Sequence, residues 1–276
     1  MAPVIKAAVI DLYNNEKNEG IRCIKDILSG MNNNGSKTEF DVFDTRYRNE
    51  IPGMDYDIFI SSGGPGSPFE GEGSEWEKIY FGLIDKLWNY NQQNHAKKKY
   101  VFFICHSFQM MSRFFKLGTV SKREKTSFGL LPFSKTGDGM NDPLLHSLPD
   151  PFYAADIRQY QVTEPDSKIF SELGAKILSY EVPVIDAKKE KAMTAIRLSD
   201  EMIGTQFHPE ADPESMLYHF RQDERKQQVV DLFGQRKYDE MLGWLNDKDK
   251  LKLTRETILP GFLNRAIKEL NTVYPE

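Results

Sequence analysis

Apolar positions along the chain fall into two alternating periods. Residues 4–12 are a nearly continuous β-branched and apolar run, which predicts a buried first strand. Within residues 19–28, Ile21, Ile24, Ile27 and Leu28 recur at helical spacing, with Cys23 inside the same helix. Residues 38–43 and 57–61 read as the second and third strands. The third runs into the turn-rich Ser61-Ser62-Gly63-Gly64-Pro65-Gly66-Ser67-Pro68. Residues 74–91 predict a helix with Trp76, Ile79, Leu83, Leu87 and Trp88 inward; residues 99–104 predict a fourth buried strand and residues 107–115 another helix. Strand alternating with helix predicts an α/β fold: a mostly parallel sheet flanked by helices.

From residue 125 to 206 the pattern changes to short strand-like runs with turn signals, including 194–198 and 202–207. After Pro213 it becomes helical over 214–233, 238–245 and 251–270. The expected organisation is one compact α/β domain over residues 1–211 and a C-terminal helical extension, 212–276, packed on it. Leu217, Phe220, Val229, Leu232, Phe233, Leu242, Trp244 and Leu245 carry too much apolar surface for a free tail. The extension is therefore expected to be an integral cover or a homo-oligomer surface.

The chain has 276 residues, 39% hydrophobic and 28% charged, with a formal net charge of -5. That composition is ordinary for a soluble globular protein, and mild acidity gives no reason to expect nucleic acid or an anionic membrane as partner. No apolar stretch reaches the length of a membrane span. The start runs directly into a strand rather than a secretion signal, so the cytoplasm is the expected setting. Lys97-Lys98-Lys99 and Lys188-Lys189 read as solvated loop charges. The two cysteines, Cys23 and Cys105, lack a metal-ligand spacing, and a reducing compartment argues against their pairing. No metal or cofactor is expected. Cys23, in mid-helix, reads as structural.

Cys105 is different. It follows the strand Tyr100-Val101-Phe102-Phe103-Ile104 directly and precedes a helix. A thiol at such a turn is lifted from the sheet, and the new helix's N-terminus favours its thiolate. Gly63 and Gly64, after the third strand, leave backbone N–H groups free to face a cleft and stabilise an oxyanion. In Gly204-Thr205-Gln206-Phe207-His208-Pro209-Glu210, Pro209 pushes His208 towards extended backbone, where side chains two apart point the same way. His208 and Glu210 can then face one site, the carboxylate orienting the imidazole. A thiol, a glycine turn and a His/Glu pair supply the parts of thiol acyl transfer.

These segments carry a resemblance. Asp55-Tyr56-Asp57-Ile58-Phe59-Ile60-Ser61-Ser62-Gly63-Gly64-Pro65-Gly66-Ser67-Pro68 resembles the oxyanion strand of class I glutamine amidotransferases. Phe103-Ile104-Cys105-His106-Ser107-Phe108-Gln109 resembles their nucleophile motif, and residues 204–210 are similar to their closing motif. Asp142-Pro143-Leu144-Leu145 and Leu148-Pro149 also resemble the segment between nucleophile and histidine. The resemblance implies a flavodoxin-like fold similar to the stand-alone, GMP synthase type of amidotransferase domain, and it implies glutamine hydrolysis. Cys105 would attack the side-chain amide, His208 would protonate the departing ammonia and then activate water, and Glu210 would hold the imidazole. The N–H groups of Gly64 and His106 would bind the oxyanion, and Gln109 would shape the glutamine pocket. The ammonia acceptor would be a separate synthetase or a small molecule, because no Ser-Gly-Gly-x-Asp-Ser nucleotide loop occurs.

Two departures from the family pattern bear on substrate. Phe103 and Ser107 stand where the nucleophile motif has glycine. Counting along a strand, Phe103 leaves the same face as Cys105, which predicts a ring beside the sulfur and a narrowed site. Residues 157–162 lack the family's glutamine-contacting histidine and acid. Acyl or γ-glutamyl transfer by the same triad, and a non-catalytic binding module of the same fold, therefore stand as alternatives. His146 and His219 are expected to be surface or structural, and His95 sits in a polar loop.

Overall fold

The computed structural model describes residues 4–31, 38–182 and 191–272. Lys188 and Lys189 lie outside them. The chain opens with β1 (Ile5–Asp11), α1 (Gly20–Gly30), β2 (Thr38–Asp44), α2 (Thr45–Arg48), β3 (Ile58–Ser61), α3 (Glu75–Gln92), β4 (Tyr100–Ile104) and α4 (His106–Phe115). It continues through β5 (Thr119–Lys135), α5 (Gly137–Asn141), β6 (Phe152–Thr163), α6 (Ser167–Leu173), β7 (Lys176–Glu181), β8 (Met193–Arg197) and β9 (Met202–Thr205). Four helices follow: α7 (Pro213–Phe220), α8 (Asp223–Phe233), α9 (Gln235–Trp244) and α10 (Leu251–Thr272).

The strands form one sheet in the order β2-β1-β3-β4-β9-β8-β7-β5-β6. From β2 to β9 the pairings are parallel. From β9 outwards they are antiparallel. Parallel strands need crossovers, and crossovers put helices on both faces; every residue of β3 and β4 is accordingly buried. On one face Ala7, Val9, Ile60 and Phe102 pack with Ile24 and Leu28 of α1 and with Ile258, Phe262 and Leu263 of α10. On the other, Ile10, Phe59, Val101 and Phe103 pack with Tyr80 and Leu87 of α3 and with Phe108 and Met111 of α4. A third cluster joins Phe128, Leu130 and Ala155 of the antiparallel half to Met216, Phe220, Val229 and Met241 of α7 to α9. No helix among the described residues is long and apolar enough to cross a membrane.

Two stretches differ from the sequence expectation. The region read as short runs contains a 17-residue strand, β5, paired along the 12-residue β6. Its charged Lys122-Arg123-Glu124-Lys125 breaks the apolar pattern, and the register shifts there, between Lys122 and Ser127. The helix expected over 214–233 is two helices, with Gln222 extended between them. Phe220 and Val229 are nine residues apart, about two and a half turns, so one straight helix would point them in opposite directions. The break lets both enter the third cluster. Asp212 and Ser215 cap α7 reciprocally, with Pro213 in its first turn.

Candidate active site

The carboxyl ends of β1, β3, β4 and β9 converge on one edge of the sheet, where open α/β sheets place their ligands. Cys105 is the first residue past β4. Its N–H donates to the Thr205 carbonyl at 2.7 Å, and its backbone then turns to φ 49°, ψ -98°. A non-glycine residue in that region is strained by about 1–3 kcal/mol and needs its surroundings to hold it. Ser107 supplies part of that hold. Its Oγ accepts from the Ile104 N–H at 2.7 Å and donates to the Ser61 carbonyl at 2.8 Å, tying the turn to β3. α4 opens immediately after the thiol, so the sulfur sits at the positive end of its dipole. The His106 N–H lies in the first turn, where the helix itself supplies no acceptor. Cys105 is 4% exposed, and its sulfur lies 3.5 Å from the Ile157 carbonyl and 3.6 Å from Nε2 of Gln206. Gln109 donates to Oε1 of Gln206 at 3.2 Å and to the Tyr160 carbonyl at 3.3 Å, joining α4 to both neighbouring walls.

His208 follows β9 and is pinned to β6: its N–H donates to the Ala155 carbonyl at 2.8 Å. Phe207, buried against Phe133 and Phe152, anchors the preceding residue. Nδ1 of His208 lies 2.8 Å from Oε1 of Glu210, a carboxylate only 1% exposed. Burial alone would lower the imidazole pKa. Glu210 and the Cys105 sulfur outweigh it and hold the pKa well above the ordinary value. The segment around Glu210 is clamped from two helices. Arg22 of α1 forks onto Asp212 at 3.0 and 3.1 Å, and Arg255 of α10 donates to the Glu210 carbonyl.

The loop after β3 closes the opposite side. A methyl group on Gly63 would stand 2.8 Å from Cε1 of His208 and 3.0 Å from the Tyr13 hydroxyl; one on Gly64 would stand 2.5 Å from the Leu12 carbonyl. Neither position has room for a side chain. Buried Arg46 braces the loop by donating to the Pro65 carbonyl at 2.7 Å and pairing with Glu70 at 3.1 Å. Tyr13, from the loop after β1, brings its hydroxyl to this point. Burial first, then the negative charge of Glu210 and Cys105, push its pKa well above 10, so the phenol stays a hydrogen-bond donor.

These residues border a cavity of about 350 Å³ lined by Cys105, His208, Glu210, Gln109 and Gly64, and also by Tyr13, Arg158 and His219. Tyr13, Arg158 and the sulfur contact of Gln206 were not singled out from the sequence, and His219, expected to be surface or structural, lines the cavity. Burial, then His208 and Arg225, lower the His219 pKa to about 4, so it is neutral at neutral pH. Cys23, expected on a packed face, is fully buried in the same wall, where burial followed by Asp212 and Glu210 raises its pKa to about 11. Buried His106 has its pKa lowered to about 3, by burial and then by Arg46 and Arg113. His146 is exposed, as expected.

Phe103 corrects the sequence expectation. Its ring is 1% exposed in the cluster under α3 and α4, whereas Cys105 belongs to the cluster on the other face, and the ring does not line the cavity. Strand alternation predicts a shared face only while the backbone stays extended, and the positive φ of Cys105 ends it. The register explains why a phenyl fits: Phe103 sits between Ser61 of β3 and Gly204 of β9. A large side chain between two small ones fills the layer without strain.

Comparison with known proteins agrees with this architecture. Residues 18–224 match the sequence model of the family described as glutamine amidotransferase class-I. No curated protein matches the chain. Among solved structures, the protein SMU.1228c superposes with a TM-score of 0.66 at 18% identity, covering 95% of this chain and 99% of that one. A glutamine amidotransferase from Thermotoga maritima gives 0.65 at 17% identity, covering 96% and 98%. PurLQS from Thermotoga maritima gives 0.51 at 14% identity, covering 83% and 98%. At these identities the likeness is one of fold.

Proposed function

This chain belongs to the glutamine amidotransferase class-I family, and we propose that it is a thiol amidase releasing ammonia from glutamine through Cys105, His208 and Glu210. The observation that carries the reading is the 2.8 Å pairing of His208 with buried Glu210 on the cavity that also holds the helix-capping Cys105. A thiolate formed by proton transfer to His208 attacks the side-chain carbonyl carbon. The oxyanion accepts from the N–H groups of Gly64 and His106, donors of a kind worth about 2.7–4 kcal/mol each in the transition state. Collapse breaks the C–N bond, and the imidazolium gives its proton to the leaving ammonia. His208 then takes a proton from water, which attacks the thioester and releases glutamate and the thiol. Glu210 keeps the ring oriented and stabilises its charged form.

The ammonia acceptor is, in this reading, a synthetase or a small molecule; the Ser-Gly-Gly-x-Asp-Ser loop of a nucleotide-binding synthetase is not among these 276 residues. The test uses a chloroketone analogue of glutamine. It should modify Cys105 and leave Cys23 untouched, free glutamine should slow the modification, and Cys105→Ala should release no ammonia. Labelling of Cys23 first, or labelling indifferent to glutamine, would remove the assignment.

A further inference from the structure

The reaction just described leaves Tyr13 without a role, although its hydroxyl stands at the reacting centre. The residue follows β1 and is held from both sides. Its N–H donates to Oδ1 of Asp11 at 2.8 Å, and its carbonyl accepts from the Glu16 N–H at 3.0 Å. The turn so closed has Asn14 and Asn15 in the middle, at φ 55° and 60°. Asparagine is favoured in such turns because it enters the left-handed region readily. The phenol then passes between two glycines. A methyl group on Gly20, at the start of α1, would stand 2.2 Å from the hydroxyl oxygen, and one on Gly63 would stand 3.0 Å from it. Both positions leave their space to the hydroxyl.

The Gly63 methyl would also stand 2.8 Å from Cε1 of His208, so the hydroxyl and the imidazole border one point. Cε1 is bonded to both ring nitrogens. Nδ1 is taken by Glu210, which leaves Nε2 for the sulfur and the reacting atoms. Tyrosine hydroxyls packed in this way ordinarily have a hydrogen-bond partner. Among the described residues the Tyr13 hydroxyl has none, and the residue lines the cavity with Cys105 and His208. Oε2 of Glu210 is buried and, among the described residues, also unpartnered. The charge of that carboxylate draws the hydrogen of the phenol to its own side. The oxygen lone pairs are then left for whatever stands beside Nε2.

We infer that Tyr13 is a further catalytic residue, whose hydroxyl oxygen accepts a hydrogen bond first from the departing ammonia and then from the water that replaces it. The two molecules must occupy one place, because Nε2 of His208 gives its proton to the first and takes one from the second. A water there has two protons. One passes to Nε2 as the oxygen bonds to the thioester carbon. The other stays on the oxygen and is held by Tyr13, which aims the attacking lone pair at the carbon. The C–S bond then breaks, and the imidazolium returns its proton to the Cys105 sulfur. No proton leaves the phenol. The inference rests on the acyl-enzyme half of the reaction proposed above, and its test does not need glutamine.

Cys105 is acetylated with p-nitrophenyl acetate in the native chain and in Tyr13→Phe, which keeps the ring. Loss of the acetyl group is then read from the Cys105 peptide by mass spectrometry. The native chain should lose it faster than a short S-acetyl peptide does. Tyr13→Phe should clear it about tenfold more slowly than the native chain, the factor that one hydrogen bond in the transition state supplies. Hydroxylamine, a nucleophile that needs no base to activate it, should remove the acetyl group from both chains at nearly the same rate, which a merely structural loss would not allow. A native rate no greater than that of the peptide, a Tyr13→Phe rate equal to the native one, or equal slowing towards water and hydroxylamine would overturn the assignment. Acetyl hydrolysis that depends on Tyr13, in a chain releasing no ammonia from glutamine, would defeat the proposed substrate and leave the role of Tyr13 standing. Ammonia release with acetyl hydrolysis indifferent to Tyr13 would do the reverse.

Discussion

Phe103→Ala separates a core role for the ring from a role in the site. The side chain is 1% exposed, and its neighbours in register, Ser61 and Gly204, are too small to collapse into the space it leaves. Truncations of buried phenylalanine cost about 3–5 kcal/mol, with the upper end expected where the surroundings cannot relax. With a urea m-value of about 3 kcal/mol/M, a loss of about 4.5 kcal/mol lowers the midpoint by about 1.5 M. The assay is urea unfolding followed by far-UV circular dichroism and by fluorescence, whose coincidence tests two-state behaviour. It is paired with the rate of Cys105 alkylation in the folded variant. That rate should stay within about twofold of the native value, because the ring faces the opposite side of the sheet. A midpoint shift below about 0.3 M together with clearly faster alkylation would place the ring against the sulfur and refute the reasoning.

Gly63→Ala should lower ammonia release by about a hundredfold with little change in melting temperature, because the new methyl displaces His208 or the Tyr13 hydroxyl; unchanged kinetics would mean that the loop yields freely. The chain ended after Ala211 should aggregate, since it loses Phe220, Ile258, Phe262 and Leu263 from two of the three clusters, and a soluble, cooperatively unfolding product would count against an integral cover. Acid sensitivity should trace in part to His106. Its folded pKa, about 3, lies below the ordinary 6.5, so between these values the unfolded chain binds a proton that the folded chain refuses, and stability falls as pH falls. Each pH unit there costs up to about 1.4 kcal/mol, and His106→Asn should flatten the acid limb of a stability–pH curve; an unaltered limb would assign it to other groups.

Legibility in the sequence followed the way each segment is buried. β3 and β4 are covered on both faces, and so is β1 apart from Lys6 and Asp11, so they read as nearly continuous apolar runs, and α1 shows its buried face at Cys23, Ile24, Ile27 and Leu28. The order Gly63-Gly64, Cys105, His208, Glu210 was visible because each lies just past a strand end. What was missed depends on geometry that strand and helix periods do not carry. The facing of Phe103 was inverted by one positive φ at Cys105. Tyr13 sits among Asn and Glu residues, although the loop after β1 opens on the same edge as the loop after β3, which could have pointed to it. Asp156 and Arg158, two apart with small or apolar Ala154, Ala155 and Ile157 around them, were a pair of like-facing opposite charges in a strand, and that spacing was their only signal. His219 had none.

The clamp on Glu210 has a consequence for the order in which the chain can become competent. Arg255 and the core residues of α10 are translated well after β1 and β4, yet α10 closes over both strands. Tyr100 bonds Glu269 across 169 positions and Arg22 bonds Asp212 across 190. Contacts of such separation form late and slowly, because loop closure must precede any gain from them. The thiol turn at Cys105 can thus be translated and emerge long before Glu210 is fixed behind His208. In the proposed reading, a nascent chain therefore carries Cys105 before Glu210 is fixed behind His208, and the triad is complete only once α10 has docked.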